Sequence, residues 1–197
     1  MSGFCGARRY IHRLMTSFGR PEAQFGQTQF GATALGPPGG CLDRCMTTEH
    51  EVPRVVSASC EIAAGSAQVF ELIADPAQQP RWDGNDNLAE AAAGQRVHRV
   101  GDVFNMTLTG GAVRENHVVE FDEARRIAWT PAEPGKRPPG HLWRWELEPI
   151  GASGTRVTQT YDWTDLTDEG RFGRARATTA DMLRASLDRL TALAEGS

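Results

Sequence analysis

Arg81-Trp82-Asp83-Gly84-Asn85-Asp86-Asn87 sets a large aromatic ring directly before a turn-forming run. Asp, Asn and Gly favour turns because Gly tolerates a positive φ and Asx side chains bond their own backbone. The tryptophan therefore stands where one element ends and another begins. A helical pattern precedes it and a series of short alternating segments follows. A ring held at such a junction can close one end of a curved sheet around a hollow.

Working upstream, Ala67 to Ala74 carries Val69, Phe70, Leu72 and Ile73 at helical spacing, with Ser66 as the expected N-cap. Asp75-Pro76 ends that helix, since the residue before proline is pushed out of the helical region. Gln79 to Trp82 reads as a further helical turn. Before the helix, Arg54 to Ile62 alternates Val56, Ala58, Cys60 and Ile62 on one face, the period of a strand.

Downstream, Val100 to Thr109 puts Phe104, Met106 and Leu108 together, and Gly110-Gly111 makes the turn. Val113 to Phe121 reads as a strand with His117, Val119 and Phe121 on a common face. Ile127 and Trp129 mark the next strand, and a loop rich in Pro and Gly runs from Pro131 to Gly140. His141, Trp143, Trp145 and Leu147 share a face, as do Val157, Gln159, Tyr161 and Trp163. The last segment, from about Asp168 or Thr178 to Ala194, repeats apolar residues at helical period through Met182, Leu183, Leu187, Leu190 and Leu193. The order is strand, short helices, a meander of antiparallel strands, and a long C-terminal helix. Strands and helices segregated in this way indicate an α+β domain. One long helix laid over the apolar face of the sheet leaves a hollow between them.

Composition bounds the reading. The 197 residues are 40% hydrophobic and 23% charged, with a formal net charge of −4. That suits one globular domain and gives no basis for nucleic-acid binding. No apolar run reaches the length of about eighteen residues that an integral membrane segment requires. Residues 1–52 are rich in glycine and hold Gly36-Pro37-Pro38-Gly39-Gly40, and they show no sustained period. They read as a disordered extension or as an early-assigned start, with Met46 as the alternative first residue, so that translation of residues 1–45 is open. The segment lacks the apolar core of a secretory signal, which leaves the cytoplasm as the expected location. Cys41 and Cys45 have no second ligand pair at zinc spacing, and neither a metal nor a cofactor is expected.

Ala67 to Pro76, the Trp82-Asp83 that follows, Val118-Val119-Glu120-Phe121 with Arg126-Ile127-Ala128-Trp129, and Trp145 to Pro149 with Gly154 to Thr158 together resemble the START-like, Bet v 1-type superfamily. The closest branch in kind is the bacterial one of polyketide cyclases/dehydrases and lipid transport proteins. The resemblance covers about Pro53 to Glu195. It implies a helix-grip fold, in which a curved antiparallel sheet wraps a long C-terminal helix and two short helices follow the first strand. Residues 53–197 would form the ligand-binding domain. The superfamily includes carriers, receptors and enzymes, so the fold alone fixes no activity.

In such a fold the concave face lines the cavity. The faces above then give a lining of Phe104, Met106, His117, Trp129, His141, Trp143, Trp145, Gln159, Tyr161 and Trp163, with Trp82 and Met182 as further ligand-binding candidates. Aromatic rings offer large stiff surfaces and methionines adapt to shape, which suits a hydrophobic small molecule. Each position also has a plainer reading. Trp129 and Trp145 are equally core residues, His117 a bonded core histidine, and His141 a rim residue. Glu115 lies either on the His117 face or in solvent. Asp83, Asn85, Asp86 and Asn87 read as turn and solvent groups. Three functions stand open: a carrier of a lipid or polyketide-like molecule, a cyclase or dehydratase using His117, Tyr161 and Glu115 for proton transfer, and a partner-binding protein with a vestigial cavity. Oligomeric state is not legible.

Overall fold

The computed structural model describes residues 53–196. The expectations for residues 1–52, including Cys5, Cys41 and Cys45, lie outside the described residues. Strand β1 (Val55–Ile62) leads into helix α1 (Ser66–Ala74), a 3-10 turn (Pro76–Gln78) and α2 (Gln79–Trp82). Strands β2 (Leu88–Glu90), β3 (Val103–Leu108), β4 (Val113–Asp122), β5 (Arg126–Ala132), β6 (Leu142–Ile150) and β7 (Gly154–Asp162) follow. A second 3-10 turn (Glu169–Arg171), α3 (Phe172–Ala177) and α4 (Ala180–Glu195) complete the domain.

The strands form one antiparallel sheet in the order β1-β7-β6-β5-β4-β3-β2. It curls into a half-barrel, and α4 packs against β1, β7, α1 and α2. This is the expected helix-grip architecture. Helix α4 buries Leu183, Ser186, Leu187, Leu190 and Ala194 along one stripe. The i, i+3, i+4, i+7 spacing gathers these side chains on one face, and burying each Leu contributes about 1.5–3 kcal/mol. Helix α1 adds Val69, Phe70 and Ile73, all fully buried.

Four boundaries differ from the sequence reading. Gly65, not Ser66, is the N-cap of α1, and it offers no side-chain bond. Strand β3 begins at Val103, three residues after Val100. Strand β2 was not foreseen: three residues on the sheet edge are too short to show a period. The C-terminal helix is split, because Thr179 takes extended backbone angles and its hydroxyl accepts the Met182 N–H as a cap. The helix proper therefore starts at Ala180.

The largest difference is in β4. Val118 pairs with Trp129 and Glu120 with Ala128, which leaves Val119 as an unpaired bulge. Phe121 faces the core, where its ring meets Phe70 edge-on at 5.7 Å. Upstream of the bulge the alternation is reversed. Arg114, Asn116 and Val118 point to the concave face, and Glu115 and His117 to the convex one. His117 pairs with Thr130, while Asn116 pairs with Pro131 and Phe104.

Candidate functional site

A cavity of about 520 Å³ lies between the concave face and the helices. The sheet supplies its floor: Met106 from β3, Arg114 and Asn116 from β4, Trp129 and Pro131 from β5, Trp143 and Trp145 from β6, and Gln159 and Tyr161 from β7. Each is inward because its strand alternates, and paired residues on neighbouring strands share a side. Trp129 pairs with Trp143, Trp143 with Tyr161, and Trp145 with Gln159. Two rungs of the sheet, Trp129–Trp143–Tyr161 and Trp145–Gln159, thus deliver a largely aromatic floor.

The Arg81–Asn87 stretch builds the end wall. The Trp82 indole N–H donates to the Leu72 carbonyl at 2.7 Å, and its ring meets Trp145 edge-on at 5.0 Å. Asp83 is not a solvent group, as the turn-residue reading had it. It is 5% exposed, and its carboxylate accepts the backbone N–H groups of Asn85, Asn87 and Leu88 at 3.2, 2.7 and 2.9 Å. That one side chain therefore holds the turn in shape. Asp86, with φ at 52°, does face outward and pairs with Arg189 of α4 at 2.6 Å. Arg189 also donates to the Asp83 carbonyl, and the Gly84 N–H donates to Ser186 Oγ at 2.9 Å. The wall is thus tied to the helix that covers the cavity.

Arg174, Ala177, Thr178 and Met182 border the cavity from α3 and α4, and Leu108 to Ala112 border it from the β3–β4 hairpin. His141 enters just before β6, after Gly140. Gly140 has φ at +104°, and a Cβ there would run into the Asp165 backbone, so the loop reaches this position only with glycine. The His141 and Tyr161 ring centroids are 6.0 Å apart. Burial, reinforced by the positive charges of Arg171, Arg114 and Arg174, lowers the His141 pKa to about 4. Burial also raises the Tyr161 phenol to about 12, against the opposing pull of Arg174 and Arg171. At neutral pH the cavity therefore presents a neutral imidazole and a protonated phenol.

The structure sets Trp82, Met106, Trp129, His141, Trp143, Gln159, Tyr161 and Met182 along the cavity. It does not set Phe104, Trp163, His117 or Glu115 there. Phe104 is buried behind the lining, with its ring edge-on to Trp129 at 5.4 Å. Trp163 lies past the end of β7, under the Arg54 guanidinium and beside Phe172. His117 and Glu115 do share a face, with His117 Nε2 3.9 Å from Glu115 Oε2, but it is the convex face. Glu115 there accepts the Gly135 N–H at 3.0 Å. The bulge at Val119 is the physical reason, so these two side chains cannot act on a molecule in this cavity. Sequence reasoning missed Arg114, Asn116 and Arg174, because polar inward residues mimic a solvated face. Among the described residues, no three His, Cys, Asp or Glu side chains gather as a metal set, and no helix is long and apolar enough to cross a membrane.

Comparison with known proteins adds the following. The family described as polyketide cyclase / dehydrase and lipid transport matches residues 53–195. An uncharacterized protein of Mycobacterium tuberculosis, Rv0088, is 31% identical over 144 residues, and a second from another strain of that organism, MT0096, is 29% identical over 152. Each alignment covers 70% of this chain, and the chain spans only 62% of the length of either relative. Among solved structures, a START superfamily protein from Mycobacterium smegmatis superposes with a TM-score of 0.52 at 16% identity, over 72% of this chain and 97% of that one. Protein MLL2253 from Mesorhizobium loti gives 0.53 at 15% identity, over 73% and 98%. The Aha1 dimer from Colwellia psychrerythraea gives 0.51 at 17%, over 72% and 96%. At these identities the structures bear on the fold alone.

Proposed function

The chain belongs to the polyketide cyclase / dehydrase and lipid transport family, and from that premise we propose that its cavity binds one hydrophobic small molecule, a lipid or a polyketide-like compound, between the sheet and α4. The observation that carries this is the cavity itself. Its volume of about 520 Å³ lies within the range of small-molecule sites, and four indoles, a phenol and two methionines line it. Rings give large contact at little entropic cost, and Met106 and Met182 can repack around different shapes. The few polar groups, Gln159, Tyr161, His141 and Asn116, would orient the ligand. Native mass spectrometry of the full chain purified from its host tests this. One non-covalent apolar molecule per chain is expected, and a chain that neither retains nor takes up any apolar compound would refute the proposal.

A second reading, cyclase or dehydratase activity, is favoured by one observation: the His141 imidazole and the Tyr161 phenol stand side by side on the cavity lining, with ring centroids 6.0 Å apart. A cyclase needs a shaped container and one group that moves a proton. In this reading Tyr161 is the acid and His141 takes the place first given to His117. Turnover of a polyketide-like substrate that is lost in Tyr161→Phe, with binding retained, would support it; turnover unchanged in that variant would exclude the role.

A further inference from the structure

One rung of the floor carries two polar atoms that nothing in the fold satisfies. Trp145 and Gln159 are direct partners across β6 and β7, and both face inward. They are 0% and 4% exposed. Among the described residues, Trp145 Nε1 and Gln159 Oε1 have no hydrogen-bond partner. The adjoining indole makes the contrast, since Trp82 Nε1 is fully engaged by the Leu72 carbonyl. Buried donors and acceptors are nearly always paired, and an unpaired one in an apolar surround is destabilising. The surround here is largely aromatic: the Trp82 ring lies edge-on to Trp145, and on the next rung the Tyr161 and Trp143 rings meet at a tilt with centroids 4.5 Å apart. Directly opposed residues have Cβ atoms about 4.5–5.5 Å apart, so one bound group can address both side chains.

We propose that Trp145 and Gln159 form a seat for a hydroxyl group on the ligand, so that the cavity selects a hydroxylated aromatic or enolic ring compound over a plain hydrocarbon. This rests on the reading that the cavity binds an apolar molecule. A hydroxyl is the group that satisfies both atoms at once. Its oxygen accepts the indole N–H and its proton is donated to Gln159 Oε1. An ether or ester oxygen accepts the indole proton but leaves Oε1 bare. A hydrocarbon leaves both bare.

Calorimetric titration of the full chain with naphthalene, 2-naphthol and 2-methoxynaphthalene tests the seat. Two new hydrogen bonds to otherwise unpaired groups should make 2-naphthol bind about tenfold more tightly than naphthalene. The methyl ether, which keeps only the indole bond, should fall between the two. Gln159→Leu should cut the preference for 2-naphthol over naphthalene to that of the methyl ether, because the Trp145 N–H remains. It should also leave the urea midpoint unchanged or higher, because an unpaired buried acceptor has been removed. Gln159→Met, of similar length and without the amide, should behave alike. A role confined to packing would not produce stability gained together with selectivity reduced. Equal binding of naphthalene and 2-naphthol by the wild-type chain would overturn the seat and leave the cavity reading standing. A preference undiminished in both variants, or a clear loss of stability in both, would overturn it as well. Failure of all three probes to bind would overturn the seat and the cavity reading together.

Discussion

Replacing Gly84 by alanine tests how the end wall is joined to α4. An alanine Cβ at this position would stand 2.6 Å from the Ala185 carbonyl carbon and 2.8 Å from the Ala185 Cβ, and closer still to the Ser186 nitrogen. Ordinary contact begins at 3.4 Å, so the turn and the helix must separate by at least about 0.8 Å. The atoms that block it are mainly helix backbone, which cannot swing aside as a side chain would. The Gly84 N–H to Ser186 Oγ bond, now 2.9 Å, would stretch beyond hydrogen-bond range. Overpacking of this kind costs about 1–3 kcal/mol and the lost bond about 1 kcal/mol, for a total of about 2–4 kcal/mol. That is a large part of the stability of about 5–15 kcal/mol typical of a domain. With a urea slope of about 2 kcal/mol per molar, the denaturation midpoint should fall by about 1–2 M. Ser186→Ala, which removes the bond without the clash, should cost only about 1–2 kcal/mol. A midpoint for Gly84→Ala within about 0.3 M of wild type, at an unchanged slope, would refute the close packing of wall on helix.

The pH dependence of stability should carry a signature of His141. The folded chain favours the neutral imidazole, with its pKa lowered to about 4 from 6.5, so between those values the unfolded chain binds more protons. Stability from this group is complete above pH 6.5 and is lost as pH falls towards 4, by an amount on the order of 2–3 kcal/mol. The urea midpoint of wild type should therefore fall relative to that of His141→Gln as pH drops from 7 to 4; parallel curves would contradict the burial of the imidazole. Trp82→Phe should destabilise by about 1–3 kcal/mol, through the orphaned Leu72 carbonyl and the thinner contact with Trp145, and this too is read from the urea midpoint.

What the sequence shows and what it hides can be traced residue by residue. The alternation in β1, β6 and β7 is legible because the core face is apolar and the other face polar, as in Val56, Ala58, Cys60 and Ile62. The stripe of α4 is legible for the same reason. Strand β4 is not, for two reasons that compound. Val118 and Val119 are both apolar, so either can be assigned inward, and only the backbone reveals that Val119 is the bulged residue. Inward Arg114 and Asn116 face a cavity, so their polarity looks like exposure. A period-two pattern cannot separate a cavity from solvent, and a bulge reverses every side chain beyond it. That is why the pattern sets His117 on the inward face and leaves Glu115 open between that face and solvent. The role of Asp83 was hidden differently: turn residues are recognised by type, and nothing in their order tells which one bonds three backbone amides. The unpaired state of Trp145 and Gln159 has no sequence signal, because partnership is a property of the packed chain.

The five tryptophans offer a direct test of the cavity as the binding site. Trp82, Trp129, Trp143 and Trp145 line it, and Trp163 lies outside it under Arg54. In the indole N–H region of the 15N–1H spectrum, titration with naphthalene should shift the four lining indoles together, with a common dissociation constant and one-to-one stoichiometry, and leave Trp163 in place. A spectrum in which Trp163 alone responds, or in which no indole moves at saturating ligand, would contradict the account.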